Sequence, residues 1–321
     1  MRGLSILGIV TACGGDGGAA SGTSGPYFQQ SMFFDRDVSG SPAAGNSDAI
    51  IGSLRAAGGW GNGDRMQIDF TLDVLAADSS TPRRSFAPNE NFFEPDCDRA
   101  DMPVPAGGNV EGESGYECTT GGDCHLLVFD RGAGVLYEML DASIAGSSFR
   151  GGCLAVWDGA TAYGDTLRGD QCTSADAAGF PIAPLLFSAD EVAAGSIDHA
   201  IRFILPNNRI RRGYVRPATH GTDTTGKPSA PYFGIHLRLR ADYPVDSLPS
   251  EGAKVVARAM QKYGMYHSDG GEIALTGQSD RHTTATWDGL LDPHDLRALA
   301  VEDFAVIDHG APIELTLDCV R

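Results

Sequence analysis

Residues 66–74 alternate without a break. Met66, Ile68, Phe70, Leu72 and Val74 are apolar, and Gln67, Asp69, Thr71 and Asp73 are polar. A period of two puts the two sets on opposite faces of a half-buried strand. The same reasoning predicts a hairpin from strands over 125–130 and 135–140, turned by Arg131-Gly132-Ala133-Gly134. Further strands are predicted over 197–205, with His199, Ile201, Phe203 and Leu205 on one face, and over 233–240, 273–276 and 313–319. One helix is predicted over 251–263. Val255, Val256, Ala259, Met260 and Tyr263 form its apolar stripe, Ser250 is placed to cap it and Gly264 to end it. A shorter helix is predicted from Pro293, capped by Asp292. Segments 77–110, 158–190 and 206–231 are rich in Gly and Pro and read as long loops. The pattern predicts a mainly β fold, a β-sandwich or barrel-like core with one or two helices near the C-terminus and long disulfide-tied loops.

The N-terminus breaks this pattern. Met1-Arg2 precedes a short apolar run ending in Val10-Thr11-Ala12-Cys13, the layout of a secretory signal. A cysteine directly after Val-Thr-Ala resembles the bacterial lipobox, so residues 1–12 read as a lipoprotein signal peptide and Cys13 as the lipidated residue. Residues 13–26 read as a Gly/Ser-rich tether and 27–321 as one globular domain, the hydrophobic content of 42% being enough for a core. Gly14 after the lipidated cysteine, in place of Asp, points to the outer membrane or cell surface. The remaining six cysteines, Cys97, Cys118, Cys124, Cys153, Cys172 and Cys319, are an even set for an oxidising compartment. Short loops favour Cys118–Cys124 and Cys153–Cys172, which leaves Cys97–Cys319.

A net charge of −18 argues against nucleic acid, which needs basic patches, and suits a neutral or cationic substrate. No Gly-x-Ser-x-Gly elbow, phosphate-binding Gly-Lys loop or His-Glu-x-x-His pair occurs. Several carboxylates and histidines remain as candidates. Glu111 lies in a polar Gly-rich loop with no packing reason to be there, and His125 opens a strand. Together they are the preferred acid and base for glycosidic-bond cleavage. Asp176 sits before a turn, where an Asx cap is the competing role, and Asp130 beside Arg131 reads as a hairpin ion pair. His199, His220 and Asp269 complete the candidate set. Convergence of His125, His199 and His220 would instead hold a divalent metal. Trp60, Trp157 and Trp287 are candidates for a sugar-stacking platform.

Several blocks together resemble an uncharacterised family of secreted bacterial proteins that often carry carbohydrate-binding modules. They are Asp123-Cys124-His125 through Asp130-Arg131, Thr173-Ser174-Ala175-Asp176-Ala177-Ala178-Gly179, His199-Ala200-Ile201-Arg202-Phe203, Arg216-Pro217-Ala218-Thr219-His220 and Tyr263-Gly264-Met265. The resemblance spans roughly residues 33–308 and implies a common fold and an association with polysaccharide, but no particular reaction. Two arginines of the family pattern are missing here, where Cys124 and Thr219 stand. The expected function is cleavage of a polysaccharide by a lipid-anchored hydrolase or lyase, the acidic balance favouring hydrolysis of a neutral glycan. The alternatives are a non-catalytic glycan-binding lipoprotein and a metal-dependent enzyme with a three-histidine site.

Overall fold

The computed structural model describes residues 26–321. The signal segment, Cys13 and all but the last residue of the tether lie outside the described residues. Among the described residues, fifteen strands and four α-helices make the fold mainly β. A six-stranded sheet runs in the order Ile68–Leu72, Leu275–Gln278, Ile201–Leu205, Met265–Gly270, His236–Leu239, Phe304–Val306, and a four-stranded sheet in the order Leu154–Asp158, Val135–Met139, Leu126–Asp130, Val74–Ala77. Both are mixed. Ile68–Leu72 is parallel to Leu275–Gln278, Ile201–Leu205 to Met265–Gly270, and Val74–Ala77 to Leu126–Asp130.

The alternating run 66–74 is real, but it does not make one strand. It ends at Leu72, and Val74 opens a strand in the other sheet, so Asp73 is the residue at which the chain crosses between sheets. Asp73 is buried there, hydrogen-bonded by Asn109 and 3.5 Å from Arg281. The predicted hairpin forms with Leu126 opposite Met139 and Asp130 opposite Val135. Its first strand is apolar at every second position on both faces. Leu127 and Phe129 join the core shared with the six-stranded sheet, while Leu126 and Val128 pack under the 83–110 loops. A sheet buried on both faces loses the hydrophobic alternation that marks a solvent-facing one.

The helix Glu251–Lys262 is capped as expected: Ser250 Oγ accepts from Ala253 N–H. Gly264 ends the turn at φ +75°, and a Cβ there would strike His236 and the Leu237 carbonyl. Two predicted elements do not form. Residues 293–298 are turns, and 313–319 are irregular, flanked by isolated bridges of Ile313 with Tyr214 and of Val320 with Asp170. Helices Ser47–Ala56 and Ala189–Ala194 were not predicted. The second is held by a capping box between Ser188 and Glu191.

The six cysteines among the described residues are all paired, as Cys97–Cys153, Cys118–Cys124 and Cys172–Cys319. Two of the expected partners are therefore exchanged. The 89–98 segment lies along 151–154, on either side of Cys153, with Asn89 N–H on Gly151 O and Asp98 N–H on Leu154 O, and the C-terminal segment lies along 170–172. Tertiary neighbours outweighed loop length. Disulfides suit an extracytoplasmic protein, and no helix among the described residues is long and apolar enough to cross a membrane.

Candidate active site

Thr173–Ala178 folds into a compact loop by its own side chains. Asp176 Oδ1 accepts from Ala178 N–H at 3.1 Å, the expected Asx cap, and Ser174 Oγ accepts from Asp176 N–H and donates to Phe180 O at 2.7 Å. Gly179 closes the loop at φ +79°, where a Cβ would meet Thr219 and the Cys172 carbonyl. The loop lies against a polar stripe that crosses one face of the six-stranded sheet.

Arg202 is the centre of that stripe. Its Nε donates to Ser268 Oγ (3.1 Å), Nη1 to Thr276 Oγ1 (3.1 Å) and Nη2 to Asp176 Oδ2 (2.8 Å), and Asp269 Oδ2 is 3.8 Å from Nη2. Asp69 is the register partner of Thr276 and extends the stripe by one strand. The pairing slips between Phe203 and Ile204, which oppose His267 and Asp269, leaving Ser268 as an extra residue. Such a bulge re-aims side chains locally. Here it brings Ser268 to Arg202 and Asp269 to the edge of the loop. A guanidinium this deeply buried stays charged because carboxylates and hydroxyls accept hydrogen bonds from its N–H groups.

Five of the six predicted site residues gather on this loop. His125 Nδ1 is 2.6 Å from Glu111 Oε2 and Nε2 is 3.0 Å from the Ala175 carbonyl. A carbonyl and a carboxylate only accept, so both nitrogens donate and the ring is an imidazolium. Burial opposes that charge, but Glu111 outweighs it and lifts His125 to about 9. Burial would likewise raise Glu111, and the charge and hydrogen bonds of His125 reverse this, holding the carboxyl below its ordinary value. This pair is thus an ionic clamp on Ala175 rather than a free acid and base.

Two residues on, the chemistry differs. His220 Nδ1 donates to the Ala177 carbonyl at 2.9 Å. Burial pushes its pKa below 6.5, so the ring is neutral near pH 7 and Nε2 carries the basic lone pair. Asp269 faces Ala177 from the other side, 3.5 Å from its N–H. Burial, and next the negative charge of Asp176, push Asp269 up to about 6. Burial also raises Asp176, against its bond to Arg202. One guanidinium serves two carboxyls, and Asp176 has the closer contact, which leaves Asp269 the less compensated of the two. Asp176 is sealed from solvent, whereas the Asp269 side chain is 27% exposed.

Asp269 and His220 line one cleft of about 670 Å³, walled by the 91–96 segment and by Leu317. The cleft is staked out by disulfides, Cys97–Cys153 beside one wall and Cys172–Cys319 beneath the loop.

His199 lies elsewhere. It donates to its neighbour's carbonyl, Ala200 O (2.8 Å), and sits 3.2 Å from Glu191, in a second cavity of about 590 Å³. The three imidazoles therefore do not come together as a ligand set. Among the described residues the groupings of metal-type side chains are Asp96 with Cys172 and Cys319, and Glu113 with Cys118 and Cys124, whose sulfurs are spent in disulfides. The tryptophan platform is also absent. Trp60, Trp157 and Trp287 are buried, each donating Nε1–H inward, to Leu299 O, Glu138 and Gln278 O. Asp130 pairs with Arg83 at 2.7 Å, not with Arg131, and caps the hairpin turn through Gly132 and Ala133 N–H.

Sequence reasoning gave no role to Arg202 or to Glu138, a fully buried carboxyl raised by burial to about 7 and held by Trp157 and the Ile182 and Ala183 N–H groups. An arginine between Ile201 and Phe203 in an apolar strand was the available signal for the first. The chain matches no protein-family model, no curated protein and no solved structure.

Proposed function

We propose that the cleft hydrolyses glycosidic bonds of a polysaccharide, with Asp269 as general acid and His220 as general base. The observation that carries this is the pairing of a carboxyl holding its proton to about pH 6 with a neutral, tautomer-fixed imidazole on the same wall, gripped by the N–H and C=O of one residue, Ala177. Asp269 gives its proton to the glycosidic oxygen as the C–O bond breaks. His220 Nε2 takes a proton from the water that bonds to the anomeric carbon, and solvent restores both groups. Arg202, 3.8 Å away, stabilises the carboxylate that Asp269 becomes. Glu111, His125 and Asp176 are positioning residues that hold the loop.

The test is a panel of polysaccharides incubated with the purified protein, read by new reducing ends and by unsaturated uronates. Hydrolysis yields only the former. Asp269→Asn and His220→Gln each lower the rate by about 10²- to 10⁴-fold with unchanged melting temperature. The rate is bell-shaped in pH. It falls above about 6 as Asp269 loses its proton, and falls on the acid side as His220 gains one below its ordinary 6.5. Full activity in both variants overturns the assignment.

We also propose that the protein is held at the outer membrane or cell surface through lipid on Cys13. The Val10-Thr11-Ala12-Cys13 pattern and the three disulfides support this reading. Metabolic labelling with an alkynyl fatty acid marks the wild type and leaves Cys13→Ser unlabelled; equal labelling overturns it.

A further inference from the structure

Large apolar side chains exposed to solvent are few among the described residues: Phe93 at 53%, Leu317 at 50% and Val320 at 69%. They are not scattered. Phe93 and Leu317 both line the Asp269 cleft, and Val320 is three residues beyond Leu317. The two walls they stand on are fixed covalently, since Cys97 and Cys319 anchor the segments that carry them. A rigid aromatic exposed at the mouth of a polar cleft is a surface for a flat, partly apolar ligand face. The C–H face of a pyranose ring is such a surface, and its hydroxyls remain free for the polar interior.

Six carboxylates, Glu94, Asp96, Asp123, Asp176, Asp223 and Asp269, line the interior, and no lysine or arginine does. Arg99, Arg202 and Arg212 offset Glu94, Asp176, Asp269 and Asp223 from outside the lining, which leaves Asp96 and Asp123 as the acidic groups without an arginine partner. A uronate or sulfated sugar would be repelled, whereas a protonated amine on the ring would be attracted.

On the reading of this cleft as a glycan site, we infer that Phe93 and Leu317 form a ring-stacking subsite at its mouth and that the ligand is a glycan bearing free amines. Binding of glucosamine, N-acetylglucosamine and galacturonate oligomers is measured by calorimetry on Asp269→Asn, which does not turn substrate over. Glucosamine oligomers bind, and more weakly as salt rises. The acetylated oligomers bind at least about tenfold more weakly and the uronates not at all. Phe93→Ala weakens glucosamine binding about tenfold, and Phe93→Trp keeps it. Equal binding of acetylated or uronate oligomers, or an unaltered affinity in Phe93→Ala, overturns the inference. The two proposals fail separately. Binding in this pattern without cleavage by the wild type sinks hydrolysis alone. Cleavage of neutral or uronate glycans that Phe93→Ala leaves unchanged sinks the subsite alone.

Discussion

Glu111–His125 and Glu191–His199 are the same two side chains in similar contact, 2.6 Å and 3.2 Å apart, each histidine with its second nitrogen on a backbone carbonyl. Both imidazoles are raised by their carboxylate against the effect of burial. What differs is the carbonyl each one reaches. His199 holds its own neighbour, Ala200, and Glu191 also closes the cap of a six-residue helix, so the pair is local. His125 holds Ala175, fifty positions away in sequence, and so pins the loop from which Asp176 reaches Arg202. Local chemistry is alike in the two places; the partner at the far end decides whether the pair supports a site.

The sharpest way to break this comparison is at the end of the His125 chain. Arg202→Met leaves Asp176 buried without a counter-charge and is expected to cost about 3–5 kcal/mol in urea unfolding. It also removes the charge that steadies ionised Asp269, so any folded fraction loses activity. A stable, active variant would mean that the loop does not depend on the stripe. Next in size, Glu111→Gln removes a charge-assisted bond from a site whose carboxylate side chain is only 18% exposed. A loss of about 2–3 kcal/mol together with lowered turnover is expected. Glu191→Gln, at a carboxylate 35% exposed, is expected to cost about 1 kcal/mol through the helix cap and to leave turnover unchanged. Equal effects on turnover would erase the distinction between the pairs.

The pairs also separate by pH. The His125 contribution to stability is complete below the ordinary imidazole value of 6.5 and is lost as pH rises through about 9. Melting curves of the wild type should therefore fall between these limits, and those of Glu111→Gln should fall less. The smallest effect lies on the acid side. His236 and His267, buried and neutral, are depressed to about 4 by burial, so their contribution is complete above 6.5 and is lost as pH drops towards 4. His267→Gln should blunt that acid loss without changing the alkaline one, as read from melting temperatures between pH 4 and 7.

The candidate residues were legible because each departs from its local pattern. Glu111 stands in a loop without packing demands, Asp176 precedes a turn, and His125 opens a strand. Their roles were not legible. Glu111 and His125 looked like an acid and a base, and became a clamp once the Ala175 carbonyl supplied a second acceptor. Asp269 and His220 stand apart because one has a competing carboxylate beside it and the other has a backbone partner on one nitrogen only. His199 failed as a ligand for a related reason: its alternation with Ile201 and Phe203 placed it on a strand face, but the strand begins two residues later.

By itself the sequence determined the local facts: the mainly β character, the hairpin at 126–139, the capped helix after Ser250, the Asx turn at Asp176 and the even set of six cysteines. These depend on neighbours a few positions apart, whose side chains act on the backbone beside them. Tertiary structure alone decided that the run 66–74 would split at Asp73 between two sheets, which cysteines would meet, and that Arg202 would be shared by Asp176 and Asp269. Each of these depends on segments distant in the chain lying against one another. Burial then acts on whatever groups that packing has brought together. A carboxyl proton retained to about pH 6 is a property of the assembled neighbourhood, and Asp269 alone in the chain has no such property.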